Sequence, residues 1–156
     1  MLKEGIGIDP SINAIDYANL CKELSNVQNL SFIQGDESIL NDYSLYFDSI
    51  VTFNVIDVLE DDVVSRILQQ LSLSLKKGGY LLIGINPDYP FSFLEGLGYQ
   101  KDGHYLYKNG ILRGNEKSIE EWKRLFSKYF SVISSCEFIL EEREKTYPRR
   151  MFILQK

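Results

Sequence analysis

FDSIVTFNVIDVLEDDVVSRILQQLSLSLKKGGYLLIGI, running from Phe47 to Ile85, is the stretch that decides the fold. Its opening, FDSIVTF (Phe47 to Phe53), is rich in β-branched and aromatic residues and reads as a strand. Glu60, Asp61 and Asp62 follow, three acids suited to the positive end of a helix dipole. Val64, Ile67, Leu68, Leu71 and Leu75 then recur at spacings of three and four, the stripe of a helix packed on one face. Lys76 and Lys77 suit its last turn and Gly78-Gly79 its stop. Tyr80 to Ile85 is a continuous apolar strand, as expected where helices cover both faces of a sheet.

Outward from this unit the alternation continues. Toward the N-terminus, Gly5 to Asp9 is a short strand that ends on an acid. Asp9-Pro10-Ser11 opens a helix, either with Asp9 as cap and Pro10 at its first position or with Ser11 as cap. Ala14, Ile15, Ala18, Cys21 and Leu24 mark its inner face, and Leu30 to Gln34 is a strand broken by Gly35-Asp36. Toward the C-terminus, the long connection from Asn86 to Lys117 holds a hairpin, His104 to Tyr107 and Ile111 to Arg113 around Asn109-Gly110. Ser118 and Glu121 form a capping box for a helix that buries Trp122, Leu125, Phe126 and Tyr129. Two strands follow, Ser131 to Leu140 and Arg150 to Gln155, joined by the charged loop EEREKTYPR. Strands alternating with helices give a largely parallel α/β sheet, and the last two strands an antiparallel hairpin at its edge.

Composition narrows the function. The chain has 156 residues, suited to one domain, and its 44% hydrophobic and 25% charged residues argue against disorder. Lys and Arg total 17 against 22 Asp and Glu, a net charge of −5. That balance excludes a nucleic-acid binder working through a basic face and disfavours an anionic membrane surface. No apolar run approaches the roughly 18 residues that span a bilayer, and the N-terminus lacks a signal-peptide layout. Cys21 and Cys136 form no CxxC motif. The expectation is two buried thiols in a reducing cytoplasm, with no metal site.

In parallel sheets ligands sit at the carboxyl ends of the strands. Asp9 ends the first strand here, Asp36 follows the second and Asn54 the third. A carboxylate offers two oxygens to the two hydroxyls of a ribose, and a second acid one strand away can accept an adenine amino group. In the long insert, His104 is the only histidine and could take a proton, though a bystander role suits it better. Arg113 could pair with a substrate carboxylate or phosphate, or stand on the surface. Tyr89, Phe91, Phe93, Tyr99, Tyr105 and Tyr107 could wall a pocket for a flat acceptor, or be the core of a small lid.

GIGIDPS (5–11), NLSFIQGDE (29–37), FDSIVTFNVIDVLED (47–61) and LKKGGYLLI (75–83), in this order and spacing, resemble the class I S-adenosylmethionine-dependent methyltransferases. The resemblance implies a Rossmann-like fold with S-adenosyl-L-methionine as cofactor. It implies that Asp9 binds the ribose and Asp36 the adenine, with Gly35 and Glu37 beside it. Pro10 and Ser38 would border the ring. Asn54 and Val55 would face the methionine part and the substrate, and Gly78-Gly79 would be a structural turn.

The same resemblance exposes a departure. The family begins with a central strand and a GxGxG loop, which would fall before Met1. Gly5-Ile6-Gly7 does not replace that loop, because Pro10 stands where a further glycine is needed. The expectation is an N-terminally truncated domain, with residues 86–117 as its substrate-side lid. An edge would then lie unpaired along Gly5 to Asp9 or Ser49 to Phe53, or these two would pair directly; a bare edge invites self-association. On this reading the chain is a methyltransferase for a small-molecule acceptor, and these 156 residues alone bind the cofactor weakly and transfer no methyl group. The alternative is a non-catalytic remnant acting as an interaction module. Another nucleotide-binding α/β enzyme, such as a dehydrogenase, is a third and weaker reading.

Overall fold

The computed structural model describes residues 3–139 and 147–156, and the chain divides into two units between Asp42 and Tyr43. The first unit holds β1 (Gly5–Asp9), α1 (Ile12–Leu24), β2 (Leu30–Gln34) and a 3₁₀ turn over Glu37–Asp42. β1 and β2 are parallel, in register from Gly5 opposite Leu30 to Asp9 opposite Gln34. Of the two possible caps of α1, Ser11 is the one used: its side chain accepts the Ala14 N–H at 3.4 Å. Ile15 is the buried anchor of the helix, and Ala14, Ala18 and Cys21 are half-buried beside it. Leu24 is exposed, against expectation.

The second unit contains β3 (Phe47–Phe53), α2 (Asp61–Ser74), β4 (Leu75–Ile85), α3 (Phe91–Gly96), β5 (Gln100–Asp102), β6 (Tyr105–Lys108), β7 (Ile111–Asn115), α4 (Ile119–Phe126), β8 (Ser131–Phe138) and β9 (Arg149–Gln155). Its main sheet runs β3-β4-β9-β8. β3 and β4 are parallel, while β9 is antiparallel to both β4 and β8. The closing strand pair is therefore present, with β9 as its inner member. Among the described strands, β1 bonds only to β2 and β3 only to β4, so each presents one open edge. Leu140 and the greater part of the expected 141–149 loop lie outside the described residues.

Helix α2 stops earlier than the lysines and glycines foretell. Leu75 still donates its N–H to the Leu71 carbonyl, but its backbone is extended and it begins β4 opposite Phe47. The register then jumps from Phe47–Leu75 to Ser49–Tyr80. Residues 76–79 thus bulge opposite Asp48, where Lys76 Nζ meets Asp48 Oδ1 at 2.7 Å. The two lysines serve a strand crossing and not a helix end.

The core of this unit joins Val64, Leu68 and Leu71 of α2 to Leu75, Leu81, Ile83 and Ile85 of β4. Trp122 and Phe126 of α4 and Phe152 and Leu154 of β9 complete it. Phe126 packs edge-on against Phe152 at 5.1 Å between ring centres. Each such side chain contributes about 1.5–3 kcal/mol by leaving water. The capping box forms: Ser118 Oγ accepts the Glu121 N–H at 3.3 Å and Glu121 Oε2 accepts the Ser118 N–H at 2.8 Å. Leu125 and Tyr129 are only half-buried, and Phe130 takes the last buried place.

The 86–117 region has more structure than its sequence declares. Asn109 and Gly110, both with positive φ, turn β6 into β7, and β5 adds a third antiparallel strand. The expectation of two buried thiols fails. Cys136 is exposed because it lies on β8, an outer strand of its sheet, and Cys21 is half-buried.

Candidate functional site

In the first unit, the parallel ladder carries two acids to one place. The Asp9 carbonyl accepts the Gly35 N–H at 3.1 Å, and Gln34 Nε2 donates to the Pro10 carbonyl at 3.3 Å. Asp9 is half-buried; its Oδ1 accepts the Ser11 N–H at 2.8 Å and its Oδ2 has no partner among the described residues. Asp36 is exposed and its Oδ1 accepts the Ser38 N–H at 2.9 Å. Hydrogen bonds from Ser38, by side chain and backbone, hold the Asp36 carboxyl below the usual carboxylate range, so it is an acceptor at neutral pH. Glu37 opens the 3₁₀ turn and is half-buried. Asp9, Pro10, Asp36 and Glu37 therefore gather at the carboxyl ends of β1 and β2.

Asn54 belongs to the second unit. It follows β3 directly with a φ of +55°, a conformation asparagine tolerates better than most residues. Its N–H donates to the Gly84 carbonyl at 2.9 Å, and its Oδ1 accepts from Arg149 Nη1 at 3.3 Å. Val55 beside it is 44% exposed.

Within the second unit lies an open cavity of about 220 Å³. Ile85, Leu94 and Leu106 supply apolar wall, and Tyr89 and Tyr99 are the aromatics of the insert that reach it. Its floor is charged. Asp57, 4% exposed, accepts the Asn86 N–H on Oδ2 at 2.8 Å, while its Oδ1 is buried without a partner. Burial pushes the Asp57 carboxyl up, opposed by the Asn86 bonds and the charge of Arg150. Arg150, 6% exposed, donates from Nη1 to the Lys117 carbonyl at 2.8 Å and leaves Nε unpartnered. Arg113 reaches the same cavity from the exposed side of β7.

Sequence reasoning passed over Asp57 and Arg150. A signal for Arg150 was present: Arg150, Phe152 and Leu154 share one face of β9 by period-two alternation, which sends the guanidinium inward with two core residues. Asp57 sits in a short 3₁₀ turn, Ile56–Val58, that no periodicity marks.

His104 serves a different cluster. Asp61 Oδ1 accepts from Asn115 Nδ2 at 2.8 Å and Lys117 Nζ at 2.6 Å, and His104 Nε2 lies 3.2 Å from Asp61 Oδ2 without hydrogen-bond alignment. Burial raises the Asp61 carboxyl, but the bonds from Lys117 and Asn115 outweigh it and hold the group below the usual range. This cluster ties the start of α2 to the end of β7, and His104 is not part of the cavity wall.

Three comparisons bear on these arrangements. The profile of a family described as "Methyltransferase domain" matches residues 1–83. No curated protein matches the sequence significantly. Solved structures do. A protein from Pyrococcus horikoshii OT3 is 18% identical with a TM-score of 0.75, over 97% of this chain and 71% of that one. A SAM-dependent methyltransferase from Methanosarcina mazei is 19% identical with a TM-score of 0.73, over 99% and 82%. The N-methyltransferase NodS from Bradyrhizobium japonicum WM9, solved with S-adenosyl-L-homocysteine, is 17% identical with a TM-score of 0.67, over 99% and 67%.

Proposed function

Because the chain belongs to the methyltransferase-domain family, we propose that it uses S-adenosylmethionine and methylates a small-molecule acceptor, with Asp9, Pro10, Asp36, Glu37 and Asn54 serving the cofactor. The observation that supports this most directly is the pair of acids at the carboxyl ends of adjacent parallel strands, Asp9 on β1 and Asp36 after β2. The pair fits a nucleoside. Asp9 keeps Oδ2 free for ribose hydroxyls, and its Oδ1 is fixed by the Ser11 N–H, which orients the carboxylate before any ligand arrives. Asp36, ionised and exposed, can accept from an adenine amino group. Pro10 and Glu37 border the same place. Asn54 would serve the methionine part, its side chain steadied by Arg149.

When bound, the cofactor supplies an electrophilic methyl group. The protein's share is to hold the two reactants in line and exclude water, which can lower such a barrier by several kcal/mol without a dedicated base.

The test is calorimetry with S-adenosylhomocysteine and, separately, adenosine, on the protein as its gene encodes it. Both should bind. Asp9→Ala removes an ionised acceptor and should weaken both by about tenfold or more. An unchanged dissociation constant for adenosine would remove Asp9 from the ribose.

A further inference from the structure

Resting on the methyltransferase reading, we propose that the cavity over Asp57 and Arg150 is the acceptor site, and that it takes a small organic anion bearing a hydroxyl group. The argument starts from what these two side chains lack. Arg150 is carried to the core face of β9 by the same alternation that buries Phe152 and Leu154. Its one hydrogen bond goes to a neutral carbonyl, and among the described residues no carboxylate oxygen lies within ion-pair distance of it. The Asp57 carboxyl acts on it only through space, so its Nε stays buried without an acceptor, and an entering anion supplies one. Arg113, without an ion-pair partner among the described residues, adds a second positive charge at the exposed side. Of the acids present, Glu116 is already matched by Lys101 Nζ at 2.5 Å, and Asp88 is exposed at the rim.

Asp57 has the opposite need. Its Oδ1 is buried with no donor: the charge of Arg150 acts on the carboxyl, but no hydrogen bond joins the two. One ligand that carries an acceptor for Arg150 Nε and a donor for Asp57 Oδ1 satisfies both orphans at once. A neutral hydroxyl suits the donor role better than an ammonium, which would meet the guanidinium charge in the same space. A hydroxyl is also a methyl acceptor, and Asp57 stands where its proton can be received. At about 220 Å³ the cavity is smaller than the roughly 300–1,000 Å³ that holds drug-sized ligands, so the ligand is small. Tyr89 and Tyr99 give it aromatic wall to lie against.

Four probes on one skeleton test this by calorimetry, with and without S-adenosylhomocysteine: para-hydroxyphenylacetate, phenylacetate, tyrosol and tyramine. The hydroxy acid should bind best. Loss of the hydroxyl (phenylacetate) or of the carboxylate (tyrosol) should each weaken binding by about tenfold or more, and tyramine should be the weakest. Arg150→Gln and Arg113→Gln should weaken both acids and leave tyrosol unchanged. Melting curves check that the variants fold; should Arg150→Gln not fold, the exposed Arg113→Gln carries the same comparison. Equal binding of the hydroxy acid and tyrosol, a preference for tyramine, or no binding by any of the four overturns the assignment. Parallel titration with S-adenosylhomocysteine separates the two readings. Hydroxy-acid binding without it leaves an anion site and removes the methyltransferase reading; the reverse removes the anion site alone.

Discussion

Replacing Gly84 by alanine probes how β3 and β4 hold the end that carries Asn54. Gly84 lies opposite Phe53, and a Cβ built there would stand 1.7 Å from Phe53 Cδ1 and 2.2 Å from Cε1. Carbon atoms rest about 3.5–4.0 Å apart, so the ring must retreat by about 2 Å. Phe53 is 44% exposed and has solvent to retreat into, which keeps the cost near the lower part of the usual range for overpacking, about 1–2 kcal/mol. Urea unfolding followed by Trp122 fluorescence measures it. Trp122 is the only tryptophan, is fully buried and belongs to the same unit as the substitution. With slopes of about 1–3 kcal/mol per molar urea, the midpoint should fall by roughly 0.3–2 M at unchanged slope. In a Phe53→Ala background the ring is gone, and the same substitution should cost nothing or slightly stabilise by restricting the unfolded chain. The coupling in this double-mutant cycle should be about 1–2 kcal/mol. Equal midpoint shifts in both backgrounds would show that the ring is not what Gly84 accommodates.

Three further outcomes are expected. Ser118→Ala removes the side-chain cap of α4 and should lower stability by about 1 kcal/mol in the same urea assay, with Ser118→Gly milder. Asp57 has its folded-state pKa raised by burial, so its contribution to stability is full below the unfolded value and is lost as pH rises through the folded value; Asp57→Asn should therefore raise the melting temperature near neutrality relative to the parent, by a margin that shrinks toward about pH 4, and a pH-independent margin would refute the sign. Gly110→Ala forces a side chain into the φ of +74° that closes the β6–β7 turn, at about 1–2 kcal/mol; amide exchange of Tyr107 and Ile111 should quicken while that of Leu81 and Ile83 stays unchanged.

Much of this was legible before any coordinates. The runs 5–9, 30–34 and 47–53 form strands at those bounds, as their five to seven residues, β-branched and aromatic content and flanking Gly, Asp or Asn indicate. The capping box and Asn109-Gly110 were equally plain, since each is a local chemical pattern with one geometric answer. What escaped was set by tertiary context. Leu75 fits the stripe of α2 but is claimed by pairing with Phe47, which no spacing reveals. Strand β5 is three exposed residues, Gln100–Asp102, recruited by an existing hairpin. Of the candidate site, the acids at the strand ends were readable as types in positions, whereas the Asp57–Arg150 cavity joins residues 93 positions apart and is visible only once β9 is seated.

The place of β9 also sets a kinetic order. Its ladder with β8 pairs Phe138 with Arg149, whereas its ladder with β4 pairs Tyr80 with Gln155, seventy-five positions apart. Closing the longer loop costs more chain entropy and is rewarded only when the whole strand docks. We expect β8 and β9 to associate first and to dock on β4 as a pair. Substitutions on β4 that weaken its packing with β9, such as Leu81→Ala opposite Leu154, should then speed unfolding more than they slow folding. Because Arg150 arrives on β9, the charged floor of the cavity would be among the last parts of the protein to exist.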